Sequence, residues 1–183
     1  MHARQQAMIT IKRITECSSQ EYLGCEALLT ASFPRDEYRA IDEQRRNVES
    51  NPQFHFNILC DDDTPIGLLS YWQFDEYIYV EHFATRPTVR NRGYGRESIQ
   101  RLIKEHGNIV LEVEHPTDDT TRRRIAFYQR CGLTLCEKEY TQPAYRADSN
   151  EVPMLLMYHG LNLEKNFEKI KSDIHRKVYG KRE

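Results

Sequence analysis

Alternating and continuous hydrophobic patterns predict most of the strands of this chain. Apolar and β-branched residues alternate with polar ones in residues 8–15, which predicts a first strand. Residues 54–60, 66–74 and 77–85 predict three more strands at hairpin-like spacing, so we expect an antiparallel meander. The nearly unbroken apolar run in residues 108–115 is typical of a strand buried on both faces.

Helical spacing of apolar residues predicts the connecting segments. Ser19 is a suitable cap for a helix in residues 21–33, and the more charged residues 36–50 predict a second helix. A third helix contains Ile99 and Leu102 at helical spacing. Three further segments follow, a helix in residues 120–132 and two strands in residues 133–140 and 152–160.

The order of these elements predicts an α/β fold: a mixed, mostly antiparallel sheet whose middle strands can part, flanked by helices. Residues 8–160 form the predicted domain. Residues 161–183 carry one apolar stripe, which predicts an amphipathic helix packed on this domain or on a partner subunit. That stripe consists of Leu163, Phe167, Ile170, Ile174 and Val178.

Composition excludes several classes of function. The 183 residues include 26 basic and 28 acidic ones, a formal charge of −2, so nothing global indicates a nucleic-acid partner. No window approaches the roughly 20 apolar residues of a membrane span, and we expect a cytoplasmic protein. The five cysteines form no CxxC pair and the seven histidines no HExxH motif, so we expect reduced thiols and no metal.

The segment VRNRGYGRESIQ, residues 89–100, places two glycines and three arginines where a predicted strand gives way to a helix. Free N–H groups at a helix start favour an anion, and glycine lets the backbone approach it closely. Two phosphate-loop motifs are absent, because Ser98 stands where GxGxxG needs its third glycine and no GxxxxGK[ST] occurs. The remaining pattern, R-x-x-G-x-G, also fits a simple helix cap.

Its context favours a binding role. A strand and Pro87 precede the pattern, and the segment IAFYQRCGL with Tyr128 and Gly132 follows about thirty residues later. Together these motifs resemble the GNAT superfamily of acyl-CoA-dependent N-acetyltransferases. Within it, the segments EHFA and QPAY to PMLLM are most similar to a set of uncharacterised bacterial acetyltransferases. On the predicted helix that contains Tyr128, that family often has Asn and Ala at two positions where this chain has Thr121 and Arg124.

The resemblance implies acetyl-CoA as cosubstrate and assigns its contacts. The strand end would pair with the pantetheine arm as an added strand, and the glycine turn would bind the pyrophosphate. The implied cofactor-binding residues are Phe83, Ala84, Thr85, Arg90, Asn91, Arg92, Gly93, Tyr94, Gly95 and Arg96.

The expected reaction is transfer of an acetyl group to a primary amine by direct attack within a ternary complex. Such an amine is almost wholly protonated at pH 7, so a base must take its proton. The resemblance makes Tyr128 the acid that assists the leaving thiolate. Alternation in residues 77–85 puts Glu81 on a face with Tyr79 and Phe83, where it is the only carboxylate and our candidate base. A salt-bridged structural Glu81 is the alternative. His82 is expected to be a hydrogen-bonded core residue, although His82 or a water chain could instead take the proton.

The acceptor pocket is expected to lie between the loop at residues 32–39 and the late loop at residues 141–151. Its candidate residues are Phe33, Glu37, Tyr38, Tyr140 and Tyr145. The acceptor would be a small-molecule or peptide amine, and the tail helix allows a homodimer. Three alternatives remain open: a non-catalytic acyl-CoA-binding module, a protein-interaction domain that dimerises through its tail helix, and an acyltransferase that uses another acyl group or an O-acceptor.

Overall fold

The computed structural model describes residues 9–181. Met8, the first residue of both the predicted first strand and the predicted domain, and the last two residues of the predicted tail lie outside this range. Two short 3-10 turns are present. Arg35–Glu37 lies before the second helix, and Pro87–Val89 leads into the glycine segment, residues 89–100.

Within the described residues 9–181, eight strands and five helices follow one another in nearly the predicted order. The strands are β1 (Ile9–Ile14), β2 (Phe54–Asp61), β3 (Thr64–Gln73), β4 (Ile78–Thr85), β5 (Ile109–Glu114), β6 (Thr134–Leu135), β7 (Tyr140–Gln142) and β8 (Val152–His159). The helices are α1 (Gln20–Ser32), α2 (Ile41–Ser50), α3 (Tyr94–His106), α4 (Asp119–Arg130) and α5 (Leu163–Tyr179).

All eight strands form one sheet in the order β1-β2-β3-β4-β5-β8-β6, with β7 also paired to β8. The predicted meander is confirmed, since β2, β3 and β4 pair antiparallel in sequence. One pair is parallel: Ile78, Tyr79 and Val80 of β4 pair with Ile109, Val110 and Leu111 of β5. Because this pairing ends after three residues, the two middle strands part, as predicted.

Two hydrophobic layers cover the two faces of the sheet. One contains Tyr22 of α1, Val48 of α2 and the apolar stripe of α5. The other contains Leu102 of α3 and Ile125 of α4. The apolar side chains that these helices bury explain this arrangement, because burial of apolar surface contributes about 25 cal/mol per Å² and holds each helix on the sheet.

Side-chain caps fix where three of the helices begin. Ser19 accepts a hydrogen bond from the N–H of Tyr22, as its position predicts. Asp118 and Thr121 form a reciprocal capping box at the start of α4. Thr121, which departs from the pattern of the resembled family, therefore has a structural role in starting this helix.

The tail helix α5 packs on its own domain. All five residues of the predicted stripe are buried, and Asn162 caps the helix through a hydrogen bond from the N–H of Lys165. The last residue of the helix, Tyr179, reaches the interior of the domain. Among residues 9–181 no helix has the length and hydropathy needed to cross a membrane, and the cytoplasmic location stays a prediction.

Two predicted elements are shorter than expected. The second helix begins at Ile41 rather than near residue 36, because the backbone is extended at Ala40 and turns Arg39 into the interior. Instead of one strand in residues 133–140, the two-residue β6 is followed by exposed charged residues at 137–139 and then by β7. A strand of alternating burial cannot pass through three consecutive exposed charges.

Candidate functional site

The parting of β4 and β5 opens a cleft through the middle of the sheet. Beyond Val80 the backbone edge of β4 has no pairing with β5, although β5 continues to Glu114 and pairs with β8 on its other side. The cleft has a volume of about 630 Å³ and lies between these two strands, α3 and α4. A volume of this size suits a ligand as large as a cofactor arm with its substrate.

A β-bulge at Glu81 shapes the wall of this cleft. Ser70 of β3 pairs with His82 and the next residue, Tyr71, pairs with Val80, so Glu81 has no partner in β3. An extra residue in one strand breaks the alternation of faces. Consequently Ala84 packs in the same layer as Tyr79, whereas Phe83 packs in the opposite one.

The prediction that Tyr79, Glu81 and Phe83 share one face is therefore wrong. Alternation holds up to Val80 and resumes in the opposite phase after the bulge. No residue type in residues 77–85 marks the bulge, since it arises from the pairing with β3.

The cleft brings together most of the predicted site residues. Both catalytic candidates line it, as do nine of the ten predicted cofactor-binding residues, and Arg92 lies outside the lining. Three of the five acceptor candidates also line it, namely Phe33, Glu37 and Tyr145. Tyr38 lies outside, with its carbonyl bonded to Arg146, and so does Tyr140, which is buried in β7 with its hydroxyl bonded to Glu112.

The glycine segment leads the chain from the 3-10 turn Pro87–Val89 into α3. Asn91 and Gly93 both have positive φ, at 62° and 91°. Gly93 is the N-cap of α3 and makes no side-chain cap hydrogen bond. The turn therefore offers main-chain N–H groups at the positive end of the helix dipole, the arrangement that binds anions.

Gly95 allows a close approach of α3 to α4. A Cβ atom at this position would lie 3.3 Å from the ring of Phe127 and 3.9 Å from that of Phe83. The two glycines thus have different structural roles. Gly93 provides a left-handed backbone, whereas Gly95 leaves room for the aromatic residues beside the cleft.

Tyr128 lies on α4 and faces the cleft. Burial raises the pKa of its phenol to about 12, so the hydroxyl is protonated throughout the neutral range. Within residues 9–181 no other group hydrogen-bonds to this hydroxyl. Tyr128 can therefore donate a proton or a hydrogen bond to a ligand in the cleft.

Glu81 is enclosed by hydrogen-bond donors. Its side chain is fully buried, and both of its oxygens accept from the guanidinium of Arg39. Trp72 Nε1 donates to the same carboxylate at 3.2 Å and the Tyr145 hydroxyl at 2.8 Å. Burial opposes its ionisation, but Arg39 outweighs this, and the pKa of Glu81 is lowered. The salt bridge of our alternative is therefore present at Glu81.

Arg39 is the residue that the sequence analysis missed here. Its side chain is 1% exposed and lies 5.3 Å from the ring centres of Phe54, Trp72 and Tyr145. A cation so enclosed needs a carboxylate partner, and Glu81 is the one that the fold supplies. An arginine in a charged loop is usually exposed, so only the fold reveals this pairing.

A second carboxyl, that of Glu112 on β5, was also missed. Tyr140 and Tyr179 donate hydrogen bonds to it, and the Tyr179 hydroxyl lies 3.1 Å from that of Tyr79. Burial raises the pKa of Glu112 to about 7, although the tyrosine hydroxyls act in the opposite direction. Its place in the run IVLEVE, between apolar residues of a buried strand, was the available signal.

Glu37 and His82 meet where the 3-10 turn crosses β4. His82 is 2% exposed; its Nε2 donates to the carbonyl of Glu37 at 2.8 Å, which leaves Nδ1 to accept from the Ser70 hydroxyl at 3.2 Å. Burial lowers the pKa of His82, so the ring is neutral. His82 is the hydrogen-bonded core residue that we expected, and it holds the backbone of Glu37 at the cleft.

Charge is divided along the cleft. Arg90, Arg96 and Arg130 line it together with the glycine segment, whereas Glu37, Glu112 and Glu114 line it elsewhere. Among residues 9–181 no group of three acidic, histidine or cysteine side chains could hold a metal ion. The cleft is therefore suited to a ligand with an anionic part and a partner with a cationic part.

Comparisons with known proteins agree on one family. The model of the family described as Acetyltransferase (GNAT) family matches residues 15–133. A solved structure titled "Putative acetyltransferase from GNAT family from Bacteroides thetaiotaomicron" is 46% identical, with a TM-score of 0.91, and the match covers 94% of this chain and 99% of that one.

Two further relatives are more distant. "Putative acetyltransferase YjbC" of Bacillus subtilis (strain 168) is 31% identical over 98 residues, which span 51% of this chain and only 51% of that protein. A Bacillus subtilis acetyltransferase in complex with CoA is 12% identical with a TM-score of 0.55, covering 84% of this chain and 98% of that one. The latter likeness shows the fold alone.

Proposed function

Because the chain belongs to the GNAT family of acetyltransferases, we propose that it transfers an acetyl group from acetyl-CoA to a primary amine. The observation that carries this proposal is the cleft at the parting of β4 and β5. It joins the glycine segment, the unpaired edge of β4 and Tyr128 to a group of carboxylates in one space of about 630 Å³. Direct attack in a ternary complex needs all of these groups on one cleft and no nucleophile from the enzyme.

The residues of the cleft fit CoA. The edge of β4 from Phe83 to Thr85 has no partner strand on the side of β5, so it can pair with an amide-containing arm as an added strand would. The turn at Asn91 and Gly93 presents N–H groups suited to a pyrophosphate, and Arg90 and Arg96 add positive charge.

Tyr128 acts as the acid in this proposal. Its hydroxyl is protonated at neutral pH and is not engaged by another described group, so it can donate to the sulfur as the thioester bond breaks. A main-chain N–H of β4 near Phe83 or Ala84, beyond the paired residues, can stabilise the oxyanion of the tetrahedral intermediate.

Glu81 serves as a positioning residue rather than as the base. Its carboxylate is ionised but already engaged by Arg39, Trp72 and Tyr145, so it has little basicity to offer an amine. The ion pair ties β4 at its bulge to the segment before α2, and thereby fixes one wall of the cleft.

The acceptor would be a small-molecule or peptide amine that carries positive charge. Glu37, Glu112 and Glu114 face the same space, while Arg124 is already paired with Glu114. An ammonium group is attracted to such a site and an anionic acceptor is repelled. The aromatic residues Phe33 and Tyr145 would contact the apolar part of the acceptor.

Two measurements test this function. CoA should raise the melting temperature of the protein in a concentration-dependent way, and acetyl-CoA should release free thiol in the presence of amines. The acceptor panel should contain polyamines, amino acids, aminoglycosides and peptides. Stabilisation by CoA without thiol release from any acceptor would instead indicate an acyl-CoA-binding module, and release with alcohols alone would indicate an O-acyltransferase.

A further inference from the structure

The carboxylate of Glu37 stands apart from the other acidic groups of the cleft. Among residues 9–181 it makes no hydrogen bond and no ion pair, whereas Glu81, Glu112 and Glu114 all have partners. Its backbone, in contrast, is fixed, because the buried ring of His82 donates to its carbonyl at 2.8 Å. Glu37 thus combines a rigid position with a carboxylate that is available to a ligand.

The surroundings of Glu37 favour proton exchange near neutral pH. Burial raises its pKa to about 7, with a further contribution from Glu114 on β5. Asp36 acts in the same direction, and Arg124 on α4 acts in the opposite one. His82 on β4, the remaining titratable group beside it, is neutral and contributes a hydrogen bond rather than a charge.

We propose that Glu37 is the base of the acetyl transfer, the group that removes the proton from the attacking amine. This inference deepens the proposed function and rests on it. Glu37 lines the same cleft as Tyr128, and Arg124, which acts on its charge, precedes Tyr128 by one turn of α4. The base and the acid therefore face one space from the two sides of the opened sheet.

The ionised carboxylate of Glu37 takes one proton from the ammonium group, and the freed electron pair of the nitrogen forms the new C–N bond. The C–S bond then breaks, and the sulfur leaves with its electron pair and receives a proton from Tyr128. The second proton lost by the nitrogen restores the phenol of Tyr128, and the proton on Glu37 returns to solvent.

The other titratable groups of the cleft are less suited to this step. The ionised carboxylate of Glu81 is paired with Arg39. Both ring nitrogens of His82 are engaged, one by the Ser70 hydroxyl and the other by the carbonyl of Glu37. The carboxyl of Glu112 is enclosed by tyrosine hydroxyls. A base must reach its proton directly or through one water, and Glu37 alone among these four has a side chain with no competing partner in residues 9–181.

The decisive variant is Glu37→Gln, which keeps the size of the side chain and removes its basicity. For an amine that the parent acetylates, kcat should fall at least about 100-fold, and the acidic limb of its pH profile should disappear. That limb should have its midpoint at about pH 7 in the parent. Glu139→Gln, at an exposed position, is the matched control and should keep the parent's rate and profile.

A second variant tests the assignment without removing the base. Glu114→Gln deletes one of the charges that raise the pKa of Glu37 and leaves Arg124 without its carboxylate partner, so the acidic limb should move to lower pH by roughly one unit. An unmoved limb in this variant would show that it belongs to another group.

Three outcomes would overturn the inference, and they differ in what else they remove. A Glu37→Gln enzyme with kcat within about threefold of the parent and an intact acidic limb eliminates Glu37 as the base. A raised KM with unchanged kcat assigns it to amine binding only. If the parent itself releases no thiol with any amine, the proposed function fails, and the inference fails with it.

Discussion

The parent protein should lose stability as the pH rises from 5 to 8. Replacing Glu112 by glutamine should prevent a large part of this loss. Glu112 lies on β5 with its carboxyl among the hydroxyls of Tyr79, Tyr140 and Tyr179, and no cation from residues 9–181 is bonded to it. Glutamine has nearly the same shape. Tyrosine hydroxyls can both donate and accept, so they can rearrange to bond the amide.

The magnitude follows from the pKa of Glu112. It is about 7 in the folded protein against an ordinary value of 4.5, so ionising the folded form costs about 3 kcal/mol more than ionising the unfolded chain. Because the folded pKa is raised, the protonated carboxyl of Glu112 contributes stability that is fully present below pH 4.5 and is lost as the pH rises through about 7. The part of this stability that is lost between pH 5 and pH 8 is about 2–3 kcal/mol.

Urea unfolding at pH 5, 6, 7 and 8 measures the effect. Other groups titrate in this range, Glu37 among them, so the informative quantity is the difference between the parent and Glu112→Gln at each pH. That difference should change by about 2–3 kcal/mol in favour of the variant from pH 5 to pH 8. Glu139→Gln, at an exposed site, controls for the substitution itself. Parallel pH profiles for the parent and Glu112→Gln would refute the reasoning.

Three further predictions concern the walls of the cleft. Tyr128→Phe should lower kcat on the order of 100-fold with little change in KM, measured by thiol release, and a loss under twofold would contradict the acid role. Gly93→Val, at φ 91°, should weaken CoA binding at least about tenfold by calorimetry, whereas Gly107→Val, at φ 74° on the opposite end of α3, should leave it unchanged. Glu81→Ala should cost about 3–5 kcal/mol in urea unfolding because it leaves Arg39 buried and unpaired, and Arg39→Met combined with Glu81→Leu should cost less; equal losses would argue against an ion pair.

Local patterns were sufficient for most of the fold. The apolar stripe of α5, the cap at Ser19 and the meander β2-β3-β4 follow from periodicity and spacing, because each depends on residues close together in the chain. The segment before α2 was harder. Its charged residues favour a helix, and the extended backbone at Ala40 depends on the distant Glu81, to which Arg39 is bonded.

The glycine segment and Tyr128 were placed correctly beside one cleft, whereas the roles of the carboxylates were not readable from sequence. The bulge that sets the direction of Glu81 depends on the register between β3 and β4. Tyr140 seemed suited to a pocket because it lies beside a long loop, yet it pairs with β8 and is buried against Glu112.

The protonation of each glutamate depends on what the fold places around its carboxyl, and the three cases differ in a way that bears on mechanism. Glu81 meets a guanidinium, which keeps it ionised but occupied. Glu112 meets tyrosine hydroxyls, which bond its carboxyl without supplying a positive charge. Burial and the charge of Glu114 raise the pKa of Glu37 to about 7. No group in residues 9–181 bonds its carboxylate oxygens, so they stay available to a ligand. A base for an ammonium group needs both properties at once, and only the third environment provides them.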